Sequence, residues 1–269
     1  MDILTADFFE RALIGGVLIG ITAPLIGLFL VLRRLSMIGD TLSHVSIAGV
    51  ALGFLVGIYP LAGGMLFALA ASFAIEKLRK AYQAYAELSL AIIMSGGIAI
   101  ASILFTLDQS FPVDIDSYLF GSIYTLNSTD LYLIGGVTLL ILLVIGLQAK
   151  ELFQMTFDEE AASVSGLPVR FYNVMISVLT ALVISVAIKI VGALLVSALL
   201  TIPAAGTLLI ARSFRQSLMI VIVIGEIAVI AGLLIAGIWN LAPGGTIVLL
   251  LILILMLLLA FRGGLKRVR

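Results

Sequence analysis

Residues 39 to 53 read GDTLSHVSIAGVALG, which places a carboxylate, Asp40, four positions before the chain's only histidine, His44. On a helix that spacing puts both side chains on one face with about 6 Å of rise between them, near enough to share one ion. Ser43 and Ile47 lie near the same stripe. An acid and an imidazole inside a bilayer are costly and normally face a bundle interior or an aqueous path. Spacing alone leaves two readings: a hydrogen-bonded pair that locks helices together, or groups on a cation or proton path. As a metal site the pair is incomplete, because zinc usually takes four ligands from Asp, Glu, His or Cys. Two chains related by a two-fold axis supply two aspartates and two histidines.

Other chemistries fall away quickly. The absence of cysteine removes disulfides, thiolate metal sites and thiol catalysis together. One histidine cannot supply H-E-x-x-H, and a Ser-His-Asp triad would have to be built around His44 itself. No G-x-x-x-x-G-K-[ST] run is present, so an ATP-driven motor would be a separate chain. A net charge of zero says nothing about partners, and nothing in the chain points to nucleic acid. Glu226, in IVIGEIAVIAGLL, lies mid-span, where a lone carboxylate costs about 2 to 3 kcal/mol or more. It reads as a structural hydrogen bond or a support for the path, in preference to a direct ligand. Pro203, in TIPAAG, removes a helical hydrogen bond, a break that often borders a transport path and that tight packing explains equally well. Lys189 sits where it can snorkel to the outer surface.

The elements that must position these groups are membrane helices. With 62% hydrophobic residues, 11% charged residues and a mean hydropathy of +1.30, the 269-residue chain lies far outside the range of a soluble domain. Apolar stretches long enough to cross about 30 Å of hydrocarbon recur along its whole length. The expected architecture is an all-α, polytopic bundle forming a single transmembrane domain over residues 1–269. Spans are read near 11–32, 39–58, 60–76, 88–107, 130–148, 171–188, 190–211, 217–238 and 244–261. That makes nine, with eight as the alternative count. Every second loop is basic (Arg33 and Arg34; Lys77, Arg79 and Lys80; Lys150 and Arg170; Arg212 and Arg215; then the C-terminal cluster), which places the N-terminus outside and the C-terminus in the cytoplasm. The first ten residues are acidic and lack the basic start of a cleaved signal peptide, so the first span is expected to be retained.

Two connecting segments carry their own signals. Asp158, Glu159 and Glu160 open EEAASVSGLP, whose acidic first turn and Gly166–Pro168 stop are the grammar of a short helix on the cytoplasmic side; an ordinary solvated loop is the other reading. Outside, DQSFPVDIDSYLFGSIYTLNSTD holds Asp108, Asp114, Asp116 and Asp130 with no basic residue, a negative mouth that would concentrate cations. Its apolar YLFGSIY suggests a short helix dipping toward the membrane. Frequent glycines, as in AGGML and SGGIAI, favour close helix packing.

The segment GDTLSHVSIAGVALGF, preceded by FLVLRRLSMI, closely resembles the signature of the permease subunits of metal-ion ABC importers, which take up zinc and manganese in bacteria. The resemblance extends in order through LFGSIYTLNSTDLY, FDEEAASVSGLPVRFYN and IVGALLVSALLTIPAAGTLLIAR. It implies a homodimeric permease of the bacterial cell membrane, two cytoplasmic ATPase subunits and an extracytoplasmic metal-binding protein. The family's transmembrane metal ligands fall on Asp40 and His44. Residues 156–168, with Asp158, Glu159, Glu160 and Gly166, fall on its coupling segment to the ATPase, while Ser43, Pro203 and Glu226 are candidates for supporting the path. No cofactor is bound permanently, and the metal is cargo. Two oxygen and two nitrogen ligands suit tetrahedral Zn²⁺ better than Mn²⁺, and AIKIVGALLV looks like the zinc branch. Two other classes stay open from the residues alone: a permease for an organic substrate, and a non-transporting membrane scaffold.

Overall fold

The computed structural model describes residues 6–82, 85–107 and 115–267, and among these it holds helices and turns without a strand. Eight helices are long and apolar enough to cross a bilayer: α1 (Asp7–Leu32), α2 (Met37–Val56), α3 (Pro60–Ala81), α4 (Ala86–Leu107), α6 (Ser128–Leu147), α9 (Val169–Val191), α11 (Phe214–Trp239) and α12 (Pro243–Arg267). Four are shorter: α5 (Ile115–Phe120), α7 (Ala149–Phe157), α8 (Glu159–Val164) and α10 (Val196–Ile210). The all-α polytopic bundle expected from hydropathy is what forms.

The expected span at 190–211 is the one that differs. α9 runs on to Val191, Gly192 ends it at φ 88°, and the returning segment contains only the 15 residues of α10. The reason is a close backbone crossing that only glycine permits. A Cβ on Gly192 would overlap the main chain of residues 119–121, and one on Gly121 would overlap that of Ile190. The backbone freed by the break is satisfied across this crossing. Ala193 N donates to Tyr118 O at 2.8 Å, Leu194 N to Leu119 O at 3.2 Å, and Ser122 N to Lys189 O at 3.1 Å. Non-helical chain buried in a membrane protein requires such a seam.

Burial sorts the helices into inner and outer. The most apolar stretch of α9 is 78% buried and those of α1 and α2 are 72% buried, against 17% for α4 and 22% for α12. α2 packs on α3, α4, α9 and α10, whereas α1 packs on α11, α10, α9 and α6, so α9 and α10 join the two groups. The α2–α3 contact is backbone to backbone: Gly49 and Gly63 face each other, and a Cβ on either would run into the other's carbonyl oxygen. With Gly53 one turn along, α2 presents the small-residue stripe that lets membrane helices approach closely. Buried hydroxyls return their protons to the preceding turn, as in Thr180 Oγ1 to Ile176 O and Ser185 Oγ to Ala181 O, each at 2.7 Å.

Between α6 and α9 the short helix α8 forms as its caps dictate. Asp158 accepts from Ala161 N at 2.8 Å at the N-terminus. At the other end Gly166, at φ 89°, donates to Ser163 O while Leu167 N donates to Ala162 O, both at 3.1 Å, the double bond of a Schellman stop. The sequence reading gave no separate helix to α7. It buries Leu152 and Met155, while Phe153 and Phe157 pack edge-on against Phe214.

Candidate ion path and coupling junction

From Ile38 to Ala51 every residue of α2 is buried except two, Asp40 and His44. The helix thus hides its apolar and hydroxyl faces in neighbours and leaves partly open the two groups able to bind a cation. His44 lines a cavity of about 480 Å³ that reaches along α4 through Ser102 and Phe105 to Thr106, with Leu119 and Leu194 from the two sides of the seam. Asp40 lies one turn nearer the α1–α2 turn. Its one side-chain hydrogen bond among the described residues comes from Ser197 Oγ at 3.4 Å, too long to fix a carboxylate. Among the described residues no three His, Asp or Glu side chains gather closely enough to hold a metal ion. Within one chain, the pair brings two such side chains and no third.

None of the three residues named as path support lines the cavity beside His44. Ser43 is fully buried, and its hydroxyl is spent on Gly39 O at 2.8 Å. Pro203 is buried inside α10, where Thr207 Oγ1 donates to its carbonyl at 2.8 Å. Glu226 sits between α11 and α1, in room left by Gly20, where a Cβ would come within 2.8 Å of Oε1. That oxygen is buried without a hydrogen-bond partner among the described residues.

Lys189 does not snorkel. Only 7% exposed, it donates to Asp130 Oδ2, itself fully buried, and Tyr59 Oη donates to Oδ1 of the same carboxylate. Asp130 is also the third residue of α6, where it accepts from Asn127 N at 2.9 Å and donates its own N–H to Asn127 Oδ1 at 2.8 Å, closing a capping box. The capping position turns the carboxylate inward, and Lys189 supplies the charge that burial demands. Asp130 therefore adds no open negative charge to the outer mouth. Asp108, Asp114 and the side chain of Asp116 lie outside the described residues. Nearby phenols respond: burial, with the Asp130 charge added, pushes Tyr118 up to about 12, and burial followed by the Asp130 bond and charge raises Tyr59 further.

At the opposite end of α2 a second polar group forms, which the sequence reading did not assemble. Arg33 closes α1, and its Nη2 donates to Glu159 Oε2 at 2.8 Å and to Asn173 Oδ1. Asn173 Nδ2 completes the ring by donating to Glu159 Oε1 at 3.0 Å. Burial acts to raise the Glu159 carboxyl, but the Asn173 bond and the Arg33 charge outweigh it and hold the group below its ordinary range. Glu159 thus turns back toward α1 and α9. The outward side of α8 is left to Glu160, Ser163 and Val164, the last 90% exposed.

A family model described as the ABC 3 transport family matches residues 5–262. The chain belongs to that family, which bears out the resemblance carried by the G-D-x-x-S-H element. It is 34% identical over 242 residues to the manganese import system permease protein ScaB of Streptococcus gordonii, covering 90% of this chain and 87% of that protein. It is 32% identical over 241 residues to the high-affinity zinc uptake system membrane protein ZnuB of Haemophilus influenzae, covering 90% and 92%. Among solved structures, PsaBC from Streptococcus pneumoniae in complex with Fab matches with a TM-score of 0.85 at 33% identity, over 94% of this chain and 91% of that one.

Proposed function

We propose that the chain is the membrane-spanning permease subunit of an ATP-driven importer of divalent transition metals, with Zn²⁺ as cargo. The observation that carries this is the selective exposure of Asp40 and His44 within residues 38–51 of an inner helix that are otherwise buried, with His44 lining a cavity. A second copy across a two-fold axis turns each half site into a four-ligand O₂N₂ set, which a tetrahedral zinc ion accepts. In this reading residues 1–269 form one transmembrane domain of the bacterial cell membrane, N-terminus outside and C-terminus in the cytoplasm. The chain hydrolyses nothing itself. Two cytoplasmic ATPase subunits engage residues 156–168 through the exposed side of α8, where Glu160 lies, while Asp158 and Gly166 hold its ends. A metal-binding protein delivers the ion from outside. Manganese is the second reading, favoured by relatives named for manganese import, ScaB among them.

The test is metal uptake into liposomes that contain the permease, its ATPase and its delivery protein. His44→Ala abolishes high-affinity uptake, because two-fold symmetry doubles the loss and no second histidine stands in. Asp40→Asn is nearly as severe, since it keeps size and removes compensating charge from a divalent ion. Both variants still assemble with the ATPase. Competition between Zn²⁺ and Mn²⁺ in the same liposomes separates the two cargoes. Wild-type uptake by His44→Ala would move the site elsewhere and make the pair a packing feature.

A further inference from the structure

We infer that the ring formed by Arg33, Glu159 and Asn173 is the link through which movement of α8 reaches the turn of α2 that carries Asp40. This rests on the coupling role proposed above for α8.

Three facts support the link. The first is cost: the Arg33 side chain is only 4% exposed although it is a cation at a helix end, whereas its partner Glu159 is 46% exposed. An exposed ion pair would contribute little. Here, loss of the carboxylate strands a buried guanidinium, which is heavily penalised. The second is stiffness. Arg33 is separated from α2 by a wound turn: Arg34 is held at φ 57°, Leu35 N donates to Leu30 O at 2.7 Å, and Ile38 N donates to Leu35 O at 3.0 Å. A displacement applied at Arg33 therefore has no loose chain in which to dissipate before the first turn of α2, where Asp40 lies. The third is capacity to re-pair. Arg33 Nη1 and Arg79 Nε are buried with no partner among the described residues, and Arg79, on α3 and bonded to Glu76 at 2.9 Å, stands near enough that its charge also acts on Glu159. The ring has spare donors, so α8 can shift without leaving Glu159 stranded.

Arg33 and Glu159 are accordingly positioning residues; neither touches the ion. In liposomes holding the whole complex, Glu159→Gln lets ATP hydrolysis continue while metal moved per ATP falls by about fivefold or more, the lower end of ordinary coupling energies. The metal concentration for half-maximal uptake stays at its wild-type value, unlike that of a ligand variant. A second experiment exploits the absence of cysteine from this chain: Arg33→Cys combined with Glu159→Cys introduces its only two thiols. Reduced, this variant is uncoupled like Glu159→Gln; bridged by a short thiol-specific cross-linker it regains metal moved per ATP, because a covalent tie replaces the ion pair. A ratio equal to wild type in both Glu159→Gln and the reduced double variant would overturn the link. So would a bridged variant that stays uncoupled. A wild-type complex that moves no metal would instead sink the transport reading itself.

Discussion

At the scale of single residues, the fate of an ionisable side chain in this chain is set by whether a partner of opposite charge arrives from another helix. Asp130 and Lys189 meet from 59 positions apart. Breaking such a pair costs about 3 to 5 kcal/mol, because the survivor is left buried and charged, whereas replacing both members by apolar groups is often close to neutral. Asp130→Asn should therefore lower the thermal midpoint of the detergent-solubilised protein clearly. Adding Lys189→Met to it should restore most of the loss, as read by size exclusion after heating. Recovery would fail if Lys189 had a role beyond balancing Asp130. None of this was legible in the sequence, where Lys189 looked like a surface cation and Asp130 like part of an acidic mouth, because pairing across helices leaves no local trace. Asp40 and His44 were legible, since both lie on one helix and their spacing is the observation.

At the scale of elements, hydropathy located the long helices because their composition alone keeps them in the bilayer. The ends of α8 were legible for another reason: Asp158 and Gly166 are caps, and caps act within a few residues. The break at Gly192 was not, since its cause is the main chain of residues 119–121 crossing it. Gly166 offers a clean test. A Cβ there meets nothing within 4 Å, so Gly166→Val costs only what its φ of 89° imposes, about 1 to 2 kcal/mol. Faster amide exchange across α8 and a lower ratio of metal to ATP should follow, with Gly166→Asn milder on both counts. Gly49→Leu should act differently. It collides with Gly63 across the α2–α3 contact, so it should displace α2 and depress uptake while Asp40 and His44 are unchanged in sequence.

At the scale of the molecule, eight long helices alone would bring both ends of the chain to one side of the membrane. Whether α10, only 15 residues long, crosses as a ninth span then decides on which sides the two ends lie, and the proposed topology requires that it does. In intact cells an impermeant thiol reagent should label Asp2→Cys and leave Val268→Cys untouched until the membrane is opened. Labelling of both without permeabilisation would mean that α10 does not cross. The same scale governs assembly. Since one chain gathers no three metal ligands among its described residues, the purified complex should contain two permease chains and two ATPase chains. A mass corresponding to one permease per ATPase dimer would contradict the shared site.

The seam between residues 118–122 and 189–194 has a consequence for how such proteins diversify. Its bonds join main chain to main chain, so they are indifferent to which side chains the strip carries, apart from Gly121 and Gly192, where the crossing leaves no room for a Cβ. Mutation can rewrite a side chain of this strip that does not line the cavity, such as the exposed Phe120, while the main chain beside Leu119 and Leu194 keeps its shape. A lineage can thus vary the outer face of the strip and keep the backbone frame around His44.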